Sequence, residues 1–265
     1  MVEIPATLVK ELRDETGAGM MDAKRALEET EGDLESARKL LRERGMAEAG
    51  KRAGRETTEG IVLARVGDRY GTLVAVGCET EPVSKNDEFL AYAKKVLDAV
   101  EQNGPRAEES LEDERMELVG KIGENIAVRG ATRFAKQGDD EVISAYVHPP
   151  ANKIGVLVRA RGPAEIARLI AMHIAFAAPR YATRGDVPEE EIANERSVFE
   201  KLPEVESKPE QARPKIVEGM LGKRFFAEAV LAEQPWIHEP KKTVAEALEE
   251  EGLKVLDFER YALAE

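Results

Sequence analysis

The sequence predicts an α+β protein in which a small N-terminal helical module precedes two similar halves. Apolar residues recur at helical spacing through the first fifty residues, and two later stretches are β-rich hairpins that are each followed by an amphipathic helix. The letters of the two hairpins also match, with residues 71–76 against 155–160, 84 residues apart. Because a hairpin followed by a helix occurs twice, we expect two related subdomains that stack through their helices.

Composition and charge exclude several classes of protein. The chain has 265 residues, of which 42% are hydrophobic, and its 39 Lys and Arg against 52 Asp and Glu give a formal net charge of −13. This charge disfavours direct nucleic-acid binding, because phosphate contacts need clustered lysine and arginine. The apolar runs fall far short of the roughly 20 residues that a transmembrane helix needs, so we expect no membrane association.

The cellular compartment follows from two further features. The single cysteine, Cys78, cannot form an internal disulfide or a Cys-rich zinc site. Residues 1–5 lack the basic start and the apolar stretch of a secretion signal. We therefore expect a reducing, cytoplasmic setting.

Residues 1–53 are predicted to form a domain of three short helices. Pro5 suits a first helical turn, and Asp33 is a candidate N-cap for the third helix, which we expect to stop at Gly45. Residues 45–60, rich in glycine, alanine and charge, are interpreted as a partly helical or flexible linker.

Basic residues are concentrated around the end of this domain. Between positions 38 and 55 only two residues are acidic, whereas seven are basic: Arg38, Lys39, Arg42, Arg44, Lys51, Arg52 and Arg55. Two interpretations stay open, a solvated helix end or a patch that steers an acidic protein partner.

The two core subdomains are predicted from hairpin and helix signals. Residues 54–140 form the first, with a hairpin over 61–66 and 71–78 and a helix capped by Ser84. The second core subdomain comprises 141–185 and 223–235.

Two further segments are helix-rich. Residues 186–222 are predicted to form an acidic helical hairpin with a break at positions 208 and 209. Residues 236–265 are predicted to form a C-terminal module, with a short helix and a closing strand over 253–261.

The chain contains no motif of a known catalytic chemistry. A Walker loop, a dinucleotide-binding glycine fingerprint, a nucleophile elbow and a zinc-protease motif are all absent from the sequence. His173 lies on an apolar helical stripe and Cys78 ends a strand, so we interpret both as buried structural residues. We predict no enzyme, no catalytic residue, no metal site and no cofactor. A hydrolase that uses Cys78 stays open as an enzymatic alternative.

Seven motifs follow one another along nearly the whole chain: LRDETGAGMMDAK at 12–24, CETEPVSKNDEF at 78–89, KIGENI at 121–126, IGVLV at 154–158, KIVEG at 215–219, EQPW at 233–236 and KTV at 242–244. In this order they resemble the bacterial elongation factor Ts family. The first motif alone is specific, because helix capping does not require its Thr-Gly-Ala-Gly-Met run.

The resemblance implies a guanine nucleotide exchange factor for elongation factor Tu, the GTPase that delivers aminoacyl-tRNA. It implies a ubiquitin-associated-like (UBA-like) N-terminal domain, a core of two related subdomains, a helical hairpin and a C-terminal module. Members of the family supply no reacting group and no cofactor; they displace helices beside the Mg²⁺ and phosphate site of the GTPase. Some members pair through the helical hairpin, so a homodimer through 186–222 stays open beside a 1:1 complex.

The resemblance also assigns site residues by matching positions. The loop that dislodges Mg²⁺ corresponds to Thr80, Glu81, Pro82 and Val83. Further contacts with the GTPase correspond to Leu12, Arg13, Thr16, Gly17, Met20, Gly123, Asn125, Ile126 and His148.

This loop departs from the family pattern Thr-Asp-Phe-Val, because Glu81 keeps the acid while Pro82 replaces the aromatic residue. A phenyl ring buries more apolar surface than a pyrrolidine ring. Pro82 therefore either stiffens a loop that still acts on the GTPase, leaves more of the exchange to other contacts, or only shapes a turn before Ser84. A GTPase-binding scaffold or holdase without efficient exchange is the alternative function.

Overall fold

The computed structural model describes residues 4–264, so the predicted boundaries at 1 and 265 and part of the secretion-signal segment lie outside the described residues. The N-terminal module consists of three helices, α1 (Ala6–Thr16), α2 (Met20–Glu29) and α3 (Leu34–Arg52). They enclose a small apolar core formed by Val9, Leu12, Ala23, Ala26, Leu27 and Ala37. Asp33 is the N-cap of α3, as predicted, and its carboxylate accepts a hydrogen bond from the Glu35 N–H at 3.2 Å.

The first half is a three-stranded antiparallel sheet covered on one face by helices. The elements are β1 (Glu59–Val66), β2 (Tyr70–Cys78), α4 (Glu81–Ser84), α5 (Asp87–Asn103), a 3₁₀ turn (Pro105–Leu111), α6 (Glu112–Ile122) and β3 (Ile126–Ala135). The strand order is β1-β2-β3. Its core packs β2 against α5 through residues such as Val74, Val76, Phe89 and Val96.

The cap of α5 differs from the prediction. Asn86 caps the helix, since its side-chain oxygen accepts hydrogen bonds from the N–H groups of Glu88 at 2.8 Å and Phe89 at 3.2 Å. Ser84 instead lies in α4 and donates to the Glu81 carbonyl at 2.7 Å. The predicted Ser84 cap is wrong because Ser84 is the last residue of the one-turn helix α4, and α5 begins only after Asn86.

The predicted end of the third helix at Gly45 is also wrong. Gly45 lies where α3 crosses α6, and a Cβ placed on Gly120 would stand only 2.9 Å from the Gly45 Cα. Beyond this crossing α3 continues to Arg52, and Ala49 is buried in the first core. Much of the predicted linker is therefore helix packed on the core, because glycine here permits close helix packing instead of ending the helix.

The helical insertion follows β4 (Glu141–Val147), β5 (Ile154–Arg161) and α7 (Ala164–Ala177) of the second half. It contains α8 (Glu189–Glu200), α9 (Pro203–Glu206) and α10 (Arg213–Met220), and then a π-helical turn (Leu221–Phe226) and α11 (Ala227–Ala229). Helical backbone thus runs through Gly222, where we placed a boundary, because Leu221, Phe225 and Phe226 are buried in the core of the insertion.

The remaining elements pair and pack with the second half. They are β6 (Pro235–Trp236), β7 (Glu239–Thr243), α12 (Val244–Glu250) and β8 (Lys254–Ala262). The strand order of the second sheet is β4-β5-β8, so the predicted closing strand pairs with β5. Trp236 and Leu248 share one apolar core with Ile170 and Ile174 of α7, which ties 236–264 to the second half.

The two halves pack through their sheets, which corrects the expected stacking through helices. Val62 and Leu73 of the first sheet meet Leu157 of the second in one fully buried cluster. Glycine brings the sheets together: a Cβ on Gly155 would lie 2.4 Å from Val62 Cγ1, and one on Gly71 would lie 2.3 Å from Ile143 Cγ2. The helices cover the outer faces, so the predicted α+β class with two similar halves is confirmed.

Candidate functional site

Residues 80–83 form a short exposed loop between β2 and α5, which we name the 80–83 loop. Thr80 has extended backbone and precedes the one-turn helix α4, whose first two residues are Glu81 and Pro82. Proline suits this position, because an N–H in the first helical turn has no partner within the helix. Thr80, Glu81 and Pro82 are exposed, whereas Val83 packs partly against the first core.

The start of this loop is anchored from below by two residues. Both oxygens of the Glu124 carboxylate accept hydrogen bonds from Thr80, from its N–H at 3.0 Å and from its hydroxyl at 2.6 Å. The Cys78 thiol donates to the Thr80 carbonyl at 3.3 Å. Burial raises the pKa of this thiol to about 12, so Cys78 is not a thiolate nucleophile at neutral pH.

Glu81 forms an ion pair with Lys85, one turn further along the chain. The lysine Nζ and the Glu81 Oε1 are 2.7 Å apart, and both side chains are largely exposed. The hydrogen bond from Lys85 and its positive charge lower the pKa of Glu81, with a further contribution from Lys153. Glu81 is therefore ionised at neutral pH, and its charge is partly compensated.

The turn after α6 lies directly beneath the loop. Gly123 ends α6 with a φ of +84°, a backbone conformation that glycine adopts without strain. Asn125 is buried, and its N–H donates to Glu79 Oε1 at 2.6 Å while its side-chain amide donates to the Arg55 carbonyl at 2.7 Å. Ile126 is fully buried in the first core. Asn125 and Ile126 thus support the surface from below.

The hairpin between β4 and β5 approaches the same edge of the first sheet. His148 is exposed at its tip, and its Nδ1 lies 2.8 Å from the Tyr146 hydroxyl. The Asn152 carbonyl accepts a hydrogen bond from the Val62 N–H at 2.7 Å, and Lys153 Nζ lies 2.6 Å from Glu59 Oε1. Glu59 in turn lies opposite Cys78 in the β1–β2 pair, so the hairpin reaches the end of the first sheet from which the 80–83 loop leaves.

The site residues of the N-terminal module cluster where α1 ends and α2 begins. Arg13 is exposed, and Met20 is 57% exposed at the start of α2. Gly17 ends α1 with a φ of +67°, and Thr16 donates its hydroxyl to the Leu12 carbonyl at 2.6 Å. The Leu12 side chain is fully buried in the core of the module, so it shapes this surface from within.

Helix α6 links the surface of the module with that of the core. Near its end, Lys121 lies over Gly17, where a Cβ would stand 2.3 Å from Lys121 Cε, and Lys121 also pairs with Glu88 at 2.7 Å. One turn later, Glu124 holds Thr80. The structure thus joins the 80–83 loop, the 123–126 turn and the β4–β5 hairpin, and it connects the Gly17 turn to them through α6.

Five residues at this surface were missed by the sequence reasoning: Glu79, Lys85, Lys121, Glu124 and Lys153. Four of them lie inside the motifs quoted above and Lys153 directly precedes one, but the motifs do not say which partner each residue has. Thr80 and Glu124 are 44 positions apart, and no local pattern predicts such a pair.

The basic segment 38–55 is largely ion-paired. Arg38 pairs with Glu15, Arg42 with Glu117, Arg44 with Glu29 and Arg55 with Glu79, at distances of 2.5 to 3.4 Å. These pairs reduce the positive charge that the segment presents to a partner, so the structure favours the solvated helix end over a steering patch.

Residues 4–264 offer neither a metal cluster nor a membrane span. In that range no group of three or more His, Cys, Asp or Glu side chains is arranged to hold a metal ion. No helix in the described part of the chain is long and apolar enough to span a membrane. His173 is fully buried and hydrogen-bonded to Gln234 at 2.9 Å, which confirms its structural interpretation.

The fold and the surface define a two-sheet α+β protein with an N-terminal helical module and an exposed loop anchored on the first sheet. Comparison with known proteins places this architecture in a family. Residues 79–265 match the family model described as Elongation factor TS. The chain is 43% identical to elongation factor Ts of Shewanella amazonensis, over 99% of the chain and 91% of that protein.

Other relatives give the same result. The chain is 41% identical to elongation factor Ts of Pasteurella multocida, and the match covers 100% of this chain and 93% of that protein. It is 40% identical to elongation factor Ts of Vibrio cholerae, over 99% of the chain and 92% of that protein. The chain therefore belongs to the elongation factor Ts family, and its role is in translation elongation.

Proposed function

We propose that this protein is a guanine nucleotide exchange factor for elongation factor Tu. The observation that carries the proposal is the anchored 80–83 loop, which presents Glu81 and Pro82 to solvent beside the exposed His148 hairpin in a chain of this family. A surface of this kind suits contact with another protein. The buried, protonated Cys78 argues against the hydrolase alternative.

The mechanism is thermodynamic linkage between two ligands of the GTPase. A factor that binds the nucleotide-free GTPase more tightly than its GDP form weakens GDP binding by the same ratio. Typical coupling free energies of about 1–3 kcal/mol correspond to a roughly 5–150-fold change in the affinity for GDP. The factor needs no reacting group, because it acts on the partner's ligands for Mg²⁺ and diphosphate.

The exposed residues take the contact roles in this proposal. Glu81 and Pro82 act on the Mg²⁺ side of the partner's nucleotide site, and His148 contacts the partner from the neighbouring hairpin. On the module, Arg13, Gly17 and the exposed Met20 dock on the nucleotide-binding domain. The buried residues Leu12, Asn125 and Ile126 and the partly buried Thr16, Val83 and Gly123 hold these contacts in place.

A second candidate function is a scaffold or holdase that binds the GTPase without efficient exchange. Pro82 favours it, because its small ring fits the first turn of α4 and offers no aromatic wedge. The two functions differ in one measurable quantity, the rate at which GDP leaves the partner.

The deciding experiment is stopped-flow release of a fluorescent GDP analogue from elongation factor Tu, chased with excess GDP. We expect the protein to accelerate release, and E81A/P82A to lower this acceleration about 5-fold or more, the lower end of typical couplings. The matched control is E239A/P240A, a Glu-Pro pair on the exposed strand β7.

The outcomes separate the candidates. Binding without faster release supports the scaffold, whereas unchanged stimulation by E81A/P82A removes the 80–83 loop from the mechanism. If E81A/P82A and E239A/P240A lose the same share of the stimulation of GDP release, the loop has no specific role.

We infer a 1:1 complex with the GTPase and no direct contact with nucleic acid. The insertion that begins with α8 encloses its own core, including Val205, Leu221 and Phe226, and so does not project as a long coiled coil. The net charge of −13 and the paired arginines of 38–55 disfavour phosphate binding. Light scattering of the purified protein, alone and mixed with elongation factor Tu, distinguishes 1:1 from a dimer-based assembly.

A further inference from the structure

Thr80 is held by a single carboxylate from a distant part of the chain. Glu124 accepts the Thr80 N–H at 3.0 Å on one oxygen and the Thr80 hydroxyl at 2.6 Å on the other. Hydrogen bonds to a charged acceptor are stronger than those between neutral groups. Both donors of the residue that begins the 80–83 loop are therefore used by the 123–126 turn.

The position of Thr80 determines where α4 begins. Thr80 precedes this helix, yet its side chain makes no capping bond within it, because the hydroxyl is bound to Glu124. Its carbonyl accepts from the Ser84 N–H at 3.2 Å and from the Cys78 thiol at 3.3 Å. A helix of one turn is not stable by itself, so the loop depends on this anchor.

Glu124 is itself fixed on both sides. Gly123 before it closes α6 with a hydrogen bond from its N–H to the Val119 carbonyl at 2.9 Å. Asn125 after it is buried and bonds to Glu79 and to the Arg55 carbonyl. The Glu124 carboxylate therefore projects from a rigid turn and can fix the position of Thr80.

The contact is isolated enough to be tested alone. Within residues 4–264 the structure shows no salt bridge to Glu124, and its two hydrogen bonds both go to Thr80. Glu101, by contrast, accepts from Arg65 at 2.5 Å near the far end of α5. Glu101 thus provides a charged carboxylate of the same subdomain that has no link to the loop.

We propose that Glu124 is a positioning residue for nucleotide exchange, which fixes Thr80 so that Glu81 and Pro82 are presented in their acting position. The role rests on the proposed exchange function and deepens it. A loop ordered before binding saves the free energy of ordering it in the complex. Because other contacts attach the protein, this cost falls on the step in which the loop acts, and removing the carboxylate lowers the release rate more than it weakens the attachment.

The test measures GDP release over a range of factor concentrations for wild type, E124A, E124Q and E101A. We expect E124A to lower the maximal release rate about 10-fold, as for the loss of hydrogen bonds worth about 1.4 kcal/mol. For E124A, two other quantities should stay close to their values in E101A: the concentration that gives half-maximal stimulation of GDP release, and the midpoint of thermal unfolding. E124Q should retain most of the rate, because an amide oxygen accepts the Thr80 N–H and the amide N–H₂ can donate to the hydroxyl.

A second readout does not depend on the GTPase. Deuterium exchange of the Thr80 and Ser84 amides should be faster in E124A than in E101A, since both amides lose a fixed geometry. If E124A fails to fold, T80V replaces it: this variant removes only the hydroxyl bond, and we expect an intermediate loss of maximal rate.

The outcomes are distinguishable. If wild type does not accelerate GDP release, the proposed function fails, and unchanged amide exchange in E124A would then overturn the anchor as well. If wild type is active and E124A reaches the same maximal rate, the positioning role is wrong. A loss seen only in the half-maximal concentration, or shared equally by E101A, also overturns it.

Discussion

The charge of Glu81 in the 80–83 loop is balanced by an exposed ion pair with Lys85. Their ion pair of 2.7 Å joins positions four apart and is largely exposed. Exposed pairs of this kind are weak and screened by salt. In the proposed complex, Glu81 can therefore exchange Lys85 for a group on the GTPase at little cost, while its lowered pKa keeps it charged.

His173 is a residue whose protonation state the structure determines. Gln234 donates its amide N–H groups to the carbonyls of Ala177 at 3.1 Å and Glu228 at 2.6 Å, which leaves its oxygen to accept from His173 Nε2. Nε2 therefore carries the proton, and the buried Nδ1 has no hydrogen-bond partner among the described residues. A second proton on Nδ1 would create a buried charge without an acceptor.

This environment predicts a pH-dependent stability. Burial lowers the pKa of His173, so the unfolded chain takes up a proton at a higher pH than the folded protein does. The free energy of unfolding should therefore fall as the pH drops below about 6.5, the ordinary pKa of histidine. Urea unfolding across this range should show a smaller pH dependence in H173Q, which keeps a donor for Gln234.

The exposed His148 provides the control for this measurement. H148Q makes the same substitution at a histidine that is exposed in the folded protein, so an effect common to both variants does not come from the burial of His173. Equal pH dependence in wild type and H173Q would contradict the assignment to His173.

Helix α6 is the element on which the geometry of the site depends. It crosses α3 at Gly120 in its last turn, where Lys121 also covers Gly17 of the module, and the turn that follows it holds Thr80 of the loop. The crossing requires glycine at position 120, where a Cβ would stand 2.9 Å from the Gly45 Cα, whereas a Cβ at position 45 would lie 3.5 Å from the Gly120 Cα, an ordinary contact. The orientation of the N-terminal module is therefore set by the same helix that anchors the 80–83 loop.

The crossing can be tested with one substitution made at two glycines. In G120A the new Cβ would stand 2.9 Å from backbone of Gly45, so α3 must move; in G50A the Cβ meets nothing within 4 Å. We expect G120A to lower the free energy of unfolding by about 1–3 kcal/mol. G50A should raise it by about 0.5–1 kcal/mol, because alanine favours a helix over glycine.

Urea unfolding and deuterium exchange of the α3 amides measure both effects. Faster exchange in α3 is expected for G120A alone. If G120A were as stable as G50A, the two helices would not be in the close contact that the structure shows.

At the scale of the whole molecule, the sequence predicts the elements better than their assembly. Periodicity predicts both hairpins and the sequence predicts Asp33 as a cap, and both are confirmed because these features are local. Stacking of the halves was wrong, since Gly71 and Gly155 give no sequence sign that they lie between two sheets. The predicted helix end at Gly45 is wrong for the same reason: a glycine that ends a helix and one that lies at a helix crossing look alike in sequence.

The candidate site shows the same division between local and distant information. The motif at 78–89 located the loop, and the family resemblance supplied roles for Thr80 to Val83. Three contacts at the site join distant parts of the chain. They are the hydrogen bonds from Thr80 to Glu124 and from Asn125 to the Arg55 carbonyl, and the packing of Lys121 over Gly17. Such pairs follow from the packing of α6 on the module and the first sheet, which no single segment encodes.

The buried layer between the sheets predicts that the two halves unfold together. Leu73 of β2 packs there with Leu157 of β5, while the single tryptophan, Trp236, lies in the core of the second half. A substitution at Leu73 should therefore change the unfolding transition that Trp236 reports, although the two residues belong to different halves. We expect L73A to lower the free energy of unfolding by about 2–5 kcal/mol, through lost apolar contacts and the cavity that remains.

Urea unfolding followed by Trp236 fluorescence measures this coupling directly, because the probe reports only on the second half. L73A should shift the fluorescence midpoint and the far-ultraviolet circular dichroism midpoint by the same amount. V66A, at an exposed position in β1, should leave both nearly unchanged. A fluorescence midpoint that stays at the wild-type value while circular dichroism shifts would mean that the sheets unfold independently, and the layer between them would then not act as a shared core.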